Sequence, residues 1–251
     1  MSYVSKSTGD LQLSTPRILQ FCVHPGLGYS QRVSGSKVMV VGGGAAGFFA
    51  AIIAAEAGAV VTLLERGPQF LTKVRISGGG RCNVTHACFD ARDFTKRYPR
   101  GDKELIGPFH KFQARDTVAW FESRGVELKM EPDGRMFPTT DSSQTIIDCL
   151  MHAAKEARVE LRLNSGVESV MRRPDAGFSA KLSNGETRVC DRLLLATGGC
   201  RSVALGQVAI SLGHTLESPV PSLFTFQIEA PWLRALALFG NRVFVDRKSV
   251  V

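Results

Sequence analysis

Residues 37–65 read KVMVVGGGAAGFFAAIIAAEAGAVVTLLE and decide the fold. The opening apolar, β-branched run is typical of a strand buried on both faces of a parallel sheet. The glycine turn GGGAAG follows, and the alanine-rich stretch after it predicts a helix that ends at Gly58. A second apolar run, AVVTLL, predicts the next strand, with Glu65 at its carboxyl end. The stretch therefore predicts the first βαβ unit of an α/β fold.

The glycine turn has the spacing of a dinucleotide site, Gly42-x-Gly44-x-x-Gly47. In this pattern the first glycine permits a tight turn, and the second lets backbone N–H groups approach a pyrophosphate. The third lets the helix pack closely on the strand, with its positive end facing the phosphates. The candidate site comprises the whole turn: Gly42, Gly43, Gly44, Ala45, Ala46 and Gly47.

Glu65 follows the turn at about the expected spacing of 20 residues for an acid that binds ribose hydroxyls. An acid at this position disfavours a 2′-phosphate, so the pattern predicts FAD or NAD as the ligand and not NADP. Arg66 opens a loose concentration of basic residues that suits a pyrophosphate.

A second glycine cluster, SGGGRCNVT, occupies residues 77–85. Its glycines allow successive N–H groups to form an anion-binding nest. Arg81 adds positive charge, and Asn83 and Thr85 add neutral hydrogen-bonding groups. The residues alone leave two alternatives open, a second phosphate or ring contact and a mobile surface loop.

These strings resemble the BaiN-like family of FAD-dependent oxidoreductases, which is found in bacteria and plants. The resemblance is carried by GGGAAGFFAAI, by the acid after the second strand and by ISGGGRCNVT. GRMFP at 134–138, LLLATGG at 193–199 and SLGHTLESPVPSLFTF at 211–226 are similar to the family in order and spacing. The resemblance to the family runs from about Lys37 to the end of the chain.

The resemblance implies a Rossmann-like FAD-binding fold of the two-dinucleotide-binding-domain flavoprotein type. FAD would bind in extended form, with its ADP part on the glycine turn and Glu65. The second glycine cluster would lie near the flavin, the turn after LLLA would pass close to the cofactor, and backbone atoms of Val167 would hold the adenine. The site residues carried over in this way are Gly79, Gly80, Arg81, Cys82, Asn83, Val167, Thr197 and Gly198.

Pattern and composition predict three regions. Residues 1–36 form a disordered or transit-like segment, residues 37–218 an FAD-binding domain, and residues 219–251 the start of a second, β-rich domain. Within the FAD-binding domain, amphipathic helices are predicted at 116–124 and 142–158. A small antiparallel meander is predicted at 166–190, followed by a buried strand at 192–196 and a helix at 202–212.

The family resemblance implies a further substrate-side domain and a returning glycine-rich segment. The sequence ends at Val251, just after the second domain begins, so we expect a plant-type, C-terminally truncated member. Weakened FAD binding and catalysis are expected for such a chain.

Residues 1–36 are serine-rich and basic, with Asp10 as the only acid. That composition is typical of an organellar transit peptide and predicts a plastid or mitochondrial location. The alternative is a disordered tail without an address on a cytoplasmic protein.

The net charge of +8 and the pI near 9.4 suit an anionic partner, but the basic residues are scattered and no nucleic-acid module is visible. Residues 38–55 carry no charge, yet three consecutive glycines divide them, which favours a strand and a helix over a membrane span. The six cysteines lack zinc-binding spacing and are expected to be free thiols, although a Cys82–Cys88 redox couple remains an alternative. No nucleic acid, membrane or metal is therefore expected.

The predicted function is an FAD-dependent oxidoreductase acting on a small-molecule substrate with a nicotinamide electron donor. No catalytic residue is apparent, because four of the five histidines are each isolated from any paired base or nucleophile: His86, His110, His152 and His214. Two alternatives remain open, an NAD-dependent dehydrogenase, which has no use for SGGGRCN, and a catalytically silent truncated isoform.

Overall fold

The computed structural model describes residues 35–98, 100–199 and 203–216. The predicted transit-like segment at 1–36 and the predicted second domain at 219–251 lie, apart from Gly35 and Ser36, outside the described residues. The same holds for much of the predicted SLGHTLESPVPSLFTF similarity, which extends past residue 216.

A parallel four-stranded sheet forms the centre of the fold, in the order β10-β1-β2-β6. Its strands are β1 (Lys37–Val41), β2 (Val60–Leu64), β6 (Glu160–Arg162) and β10 (Arg192–Leu195). Helix α1 (Ala45–Glu56) connects β1 to β2, as the sequence predicts, and Gly58 after it has the left-handed φ of 92°. The predicted α/β Rossmann-type fold is confirmed.

Two antiparallel sheets flank the parallel one. One is the predicted meander, β7 (Val167–Arg172), β8 (Phe178–Leu182) and β9 (Thr187–Cys190), in that order. The other was not predicted and has the order β3-β5-β4, with β3 (Thr85–His86), β4 (Leu128–Met130) and β5 (Arg135–Pro138).

The remaining helices are α2 (Thr72–Ile76), α3 (Ala91–Thr95), α4 (Asp102–Lys111), α5 (Ala114–Glu122), α6 (Ser143–Glu156) and α7 (Val203–Ser211). Ser142 caps α6, accepting a hydrogen bond from the N–H of Gln144. Asp90 caps α3 in the same way through the N–H of Asp93. These caps fix where two helices begin.

The central sheet buries both of its faces, which accounts for the unbroken apolar runs in its strands. Val40 and Leu63 belong to the core that includes α1, α5 and α6, with Trp120 fully buried at its centre. Met39 and Leu64 point the other way, into a core shared with the meander and α7. The uncharged stretch 38–55 is thus a strand and a helix, and no helix in the described ranges is long and apolar enough to cross a membrane.

Candidate functional site

The glycine turn between β1 and α1 uses its three pattern glycines for three different purposes. Gly42 has a φ of 115°, and a Cβ there would stand 2.3 Å from the carbonyl oxygen of Ala196. A Cβ on Gly47 would stand 1.8 Å from the carbonyl oxygen of Gly42. Gly44 is different, since a Cβ there would meet no atom within 4 Å. The turn is therefore tightly packed on the protein side and open above Gly44.

The N-terminus of α1 opens into that space without a side-chain cap. Gly44 is its N-cap residue, and Ala45 and Ala46 in the first turn are exposed. No acidic side chain lies in the first turn. The first N–H groups of a helix have no partner within the helix and carry partial positive charge, so they suit an anion such as a pyrophosphate.

Glu65, at the carboxyl end of β2, holds the turn from the adjacent strand. Its Oε2 accepts a hydrogen bond from the N–H of Gly43 at 2.8 Å, and its Oε1 accepts one from the N–H of Gly67 at 2.7 Å. A carboxylate offers roughly four acceptor positions, so capacity remains for ribose hydroxyls. Phe70 packs against Gly43 on the other side, because a Cβ on Gly43 would lie 2.6 Å from its ring.

Arg66 and Val167 come together beside Glu65. The N–H of Ser165 donates to the carbonyl of Glu65 at 2.8 Å, which ties the start of the meander to the end of β2. The Arg66 stem lies against Gly166, where a Cβ would be 2.8 Å from its Cγ. Val167 then opens β7 next to a register shift in its pairing with β8. The residues predicted to surround ribose and adenine thus share one edge of the sheet.

Thr197 and Gly198 follow β10 and reach the same edge from the other side of β1. The N–H of Ala196 donates to the carbonyl of Val41 at 2.8 Å, and both Thr197 and Gly198 are exposed. A Cβ on Gly198 would lie 3.0 Å from the Nζ of Lys73. Lys73 belongs to the loose concentration of basic residues that begins at Arg66, and its ammonium group adds positive charge where the pyrophosphate is expected.

The second glycine cluster forms an irregular turn at Ser77–Gly80 directly after α2, because Gly78 and Gly79 depart from helical backbone angles. Gly78, Gly79 and Gly80 have φ values of 54°, 69° and 90°, a left-handed run that glycine adopts without a steric penalty. Its link to the first cluster is the hydrogen bond from the N–H of Leu71 to the carbonyl of Gly43 at 2.8 Å. The two glycine clusters are thus joined through α2.

Three residues after the glycines have different environments. Arg81 forms ion pairs with Glu131 and Asp141 and stacks over the ring of Phe137, so its charge is matched by protein carboxylates. Cys82 is buried, and that burial raises the pKa of its thiol. Asn83 is exposed and lies at the rim of a cavity. These positions are compatible with a supporting role for Arg81 and Cys82, while their predicted contact with cofactor stays a prediction.

The sequence matches the model of the HI0933-like protein Rossmann domain over residues 36–217. The chain belongs to this family. The matched residues include the central sheet, the meander and both glycine clusters, so the HI0933-like domain contains the whole candidate site.

Curated relatives of this HI0933-like chain include a synthase and a reductase. The ribosomal RNA dihydrouridine synthase of Escherichia coli is 31% identical over 209 residues, which cover 81% of this chain and 51% of the relative. The 3-dehydro-bile acid delta(4,6)-reductase of Clostridium scindens is 29% identical over 208 residues, which cover 76% of this chain and 49% of the relative. The chain spans about half the length of these relatives.

Among solved structures, the open conformation of a flavocytochrome c3 fumarate reductase is similar to the HI0933-like domain with a TM-score of 0.51 and 28% identity. The similarity covers 66% of this chain and 34% of that chain. The fold is thus of the Rossmann type found in flavoproteins. The match to the HI0933-like family supports membership in a family of FAD-binding oxidoreductases.

The cysteines and histidines of the HI0933-like domain lie in different surroundings. Within the described ranges the cysteines are free thiols, and no group of side chains suited to a metal ion is present. His152 lies 3.3 Å from Glu156 on an exposed helix surface. His86, by contrast, lines a cavity with Asn83, which sequence spacing could not show because the opposite wall comes from helices that follow it.

Proposed function

We propose that this chain binds FAD through the edge of its central sheet and belongs to a reductase that saturates a carbon–carbon double bond conjugated to a carbonyl group. The observation that carries the cofactor assignment is the open space above Gly44, bordered by the uncapped end of α1 and by Glu65. Arg66 and Val167 would hold the adenosine, and Lys73 would face the pyrophosphate.

The names of the relatives support the reductase. Dihydrouridine is uridine with two hydrogens added across a ring double bond that is conjugated to a carbonyl. The bile acid enzyme is named as a reductase of delta(4,6) bonds in a 3-dehydro compound, and fumarate carries its double bond between carboxyl groups. All three reactions add two electrons and two protons to an activated C=C bond. FAD supplies the electrons when bound, while the protein supplies orientation and electrostatics.

Competition binding tests the cofactor assignment on the 251-residue chain. We expect FAD and ADP to compete for one site and FMN, which lacks the ADP part, to leave bound FAD in place. NAD should compete less strongly than FAD. Complete displacement of FAD by NAD, seen as loss of the protein-bound flavin absorbance at about 450 nm, would favour the NAD-dependent dehydrogenase. Failure of ADP to compete with FAD would contradict the assignment to the glycine turn.

Anaerobic reoxidation of the reduced, flavin-loaded chain tests the reductase. A cyclic enone and uridine are the test substrates, and cyclohexene is the matched control with an unconjugated double bond. We expect reoxidation only with the conjugated compounds. Equal rates with cyclohexene, or reoxidation only by dioxygen, would contradict the proposed reaction. A nicotinamide donor is expected to supply the electrons, which reduction of the bound flavin by NADH or NADPH tests.

The same proposal includes a plant-type protein with an organellar address in residues 1–36. The serine-rich, acid-poor composition of that segment supports it. Fusion of residues 1–36 to a fluorescent protein in plant cells should direct it to plastids or mitochondria. A diffuse cytoplasmic signal would favour the alternative.

A further inference from the structure

The loop that carries the second glycine cluster packs on the ring of Phe137, a fully buried residue of β5. A Cβ on Gly78 would stand 2.8 Å from Cε1 of that ring, and the guanidinium carbon of Arg81 lies 4.0 Å from the ring centroid. The N–H of Cys82 donates to the carbonyl of Ser77 at 3.0 Å and closes the loop. The loop thus rests on one aromatic side chain of a neighbouring strand.

The guanidinium group of Arg81 is held by carboxylates from two other segments. Its Nη1 donates to Glu131, in the turn between β4 and β5, and lies 3.4 Å from Asp141, ahead of α6. Among the described residues, this network joins three cations to three carboxylates: Arg81, Lys129 and Arg135 with Glu131, Asp133 and Asp141. The charge of Arg81 is therefore balanced within the protein, which makes it a poor ligand for a phosphate group.

The chain on both sides of the loop is also fixed. Ahead of it, the Oγ of Ser143 donates to the carbonyl of Arg75 at 2.8 Å. After it, the N–H of Val84 donates to the carbonyl of Met136 at 2.9 Å. Glycine has more conformational freedom than any other residue, so the three glycines between these anchors do not fix the shape of the loop themselves. Arg81, which belongs to the loop, supplies that constraint through its side chain.

We propose that Arg81 is a positioning residue, which holds the second glycine cluster in the shape that receives the flavin ring and does not itself bind the cofactor. This inference rests on the proposed function, since FAD is the ligand expected at the loop. A loop that is already held in place loses less conformational entropy when a ligand binds. The Arg81 and Glu131 side chains are 33% and 22% exposed, and ion pairs so close to solvent contribute little to overall stability. The main effect of Arg81 should therefore be on the loop.

Titration of the 251-residue chain with FAD and with ADP tests the inference. Arg81→Met keeps a side chain that can pack on Phe137 and removes the guanidinium group, whereas Glu131→Gln removes the charge of its partner. We expect each variant to weaken FAD binding about tenfold and to leave ADP affinity within about twofold, because ADP binds at the glycine turn and does not reach the loop. The double variant should bind FAD as well as either single variant, since all three lack the same contact.

A direct contact between Arg81 and the cofactor predicts a different pattern. Glu131→Gln would then free the guanidinium group for the cofactor and keep or strengthen FAD binding, while Arg81→Met would weaken it. That pattern, or equal FAD affinity in all variants, would overturn the inference. At saturating FAD, the variants should also show a smaller change of the flavin band at about 450 nm than the wild type, because the ring is held less firmly. Absence of FAD binding by the wild-type chain would contradict the proposed function.

Alkylation of Cys82 reports on the loop without any flavin. This thiol is buried, and burial raises its pKa, so it should react slowly with iodoacetamide in the wild type. We expect Arg81→Met and Glu131→Gln to increase its labelling rate at least about threefold, as measured by mass spectrometry of peptides, and to leave the labelling of Cys149 unchanged. An unchanged rate at Cys82 would overturn the inference.

The pair of Arg124 and Glu56 provides the matched control. Arg124 lies 4.0 Å from the ring centroid of the fully buried Trp120 and donates to Glu56 at 2.7 Å, with side chains that are 25% and 32% exposed. Glu56 ends α1, at the opposite end of that helix from the glycine turn. Arg124→Met and Glu56→Gln should leave the ratio of FAD to ADP affinity and the labelling of Cys82 as in the wild type. Effects equal to those of the Arg81 and Glu131 variants would indicate a general loss of stability and overturn the inference.

Discussion

Gly47 lies so close to Gly42 that a Cβ on Gly47 would stand 1.8 Å from the Gly42 carbonyl oxygen. The start of α1 is therefore packed directly onto the backbone that leaves β1. Gly44 in the same turn has open surroundings, because a Cβ there would meet no atom within 4 Å. Substitutions at these two glycines should therefore impair different properties, the stability of the fold at Gly47 and nucleotide binding at Gly44.

We expect Gly47→Ala to lower the free energy of unfolding by about 3 kcal/mol, because the added methyl group must displace backbone. Gly44→Val should change stability by about 1 kcal/mol or less, since Gly44 has an ordinary φ of −89°. Its side chain would instead occupy the space in which a pyrophosphate approaches. Urea unfolding and ADP titration distinguish the two effects. Unchanged ADP affinity in Gly44→Val would contradict the placement of the cofactor.

Substitution of Glu65 should weaken both the fold and the binding of ADP. In Glu65→Ala the N–H groups of Gly43 and Gly67 lose their acceptor, at a cost of about 2 kcal/mol in the free energy of unfolding. Glu65→Gln retains one acceptor oxygen and should lose about half as much. Loss of hydrogen bonds to the ionised carboxylate should also weaken ADP binding by about 1.5–3 kcal/mol. Full ADP affinity in Glu65→Ala would show that ribose does not bind here.

Lys73→Gln should weaken ADP binding about threefold at low ionic strength, because the exposed ammonium group beside Gly198 attracts the pyrophosphate. The effect should disappear in about 1 M salt, where charges are screened within a few ångströms. Lys111→Gln is the matched control, with the same change of charge at the end of α4. A similar loss in both variants would indicate a general charge effect and no specific contact.

Asp141 should make stability depend on pH in acid. Lys129 donates to its carboxylate and, with Arg81, holds its pKa below the ordinary value of 3.8. A folded-state pKa below the unfolded value stabilises the protein above 3.8, and this stabilisation is lost as the pH falls through the folded-state pKa.

Asp141→Asn is the control for that dependence. Asp141 has a φ of 53°, a left-handed conformation that asparagine also tolerates, so the variant removes the charge with little backbone strain. We expect the urea midpoint of this variant to lie below that of the wild type at neutral pH. The two midpoints should converge as the pH falls below 3.8, the ordinary pKa of an aspartate. A constant difference at all pH values would mean that the ion pairs do not contribute.

The central βαβ unit was predictable because strands buried on both faces of a sheet consist of unbroken apolar runs. β1, α1 and β2 agree with the prediction to within about one residue at each end, and the predicted meander is present, with Asn184-Gly185 in the turn between β8 and β9. Helices α2, α3 and α4 were not predicted. α2 and α3 are only five residues long and α4 contains Pro108, so none carries a long periodic pattern.

The candidate site was predictable where one short segment supplies it, and not where distant segments meet. The glycine turn and Glu65 are adjacent in one motif. The contact between Lys73 and Gly198, and the cavity that His86 shares with Gln113, depend on how helices fold back over the sheet. Arg81 illustrates a further difficulty, since its pairing with Glu131 joins residues that no local pattern connects.

The pairing of β1 with β10 has a consequence for the order of events during synthesis. The Lys37 N–H donates to the Asp191 carboxylate, 154 residues later in the chain, and Gly42 packs on Ala196. A nascent chain that has exposed only the βαβ unit lacks the strand that closes the turn on one side. Contacts of such long range form slowly, and apolar strand edges are exposed meanwhile. Ribosome-bound chains should acquire nucleotide affinity abruptly, once Ala196 has emerged, and chaperones should be needed most just before that point.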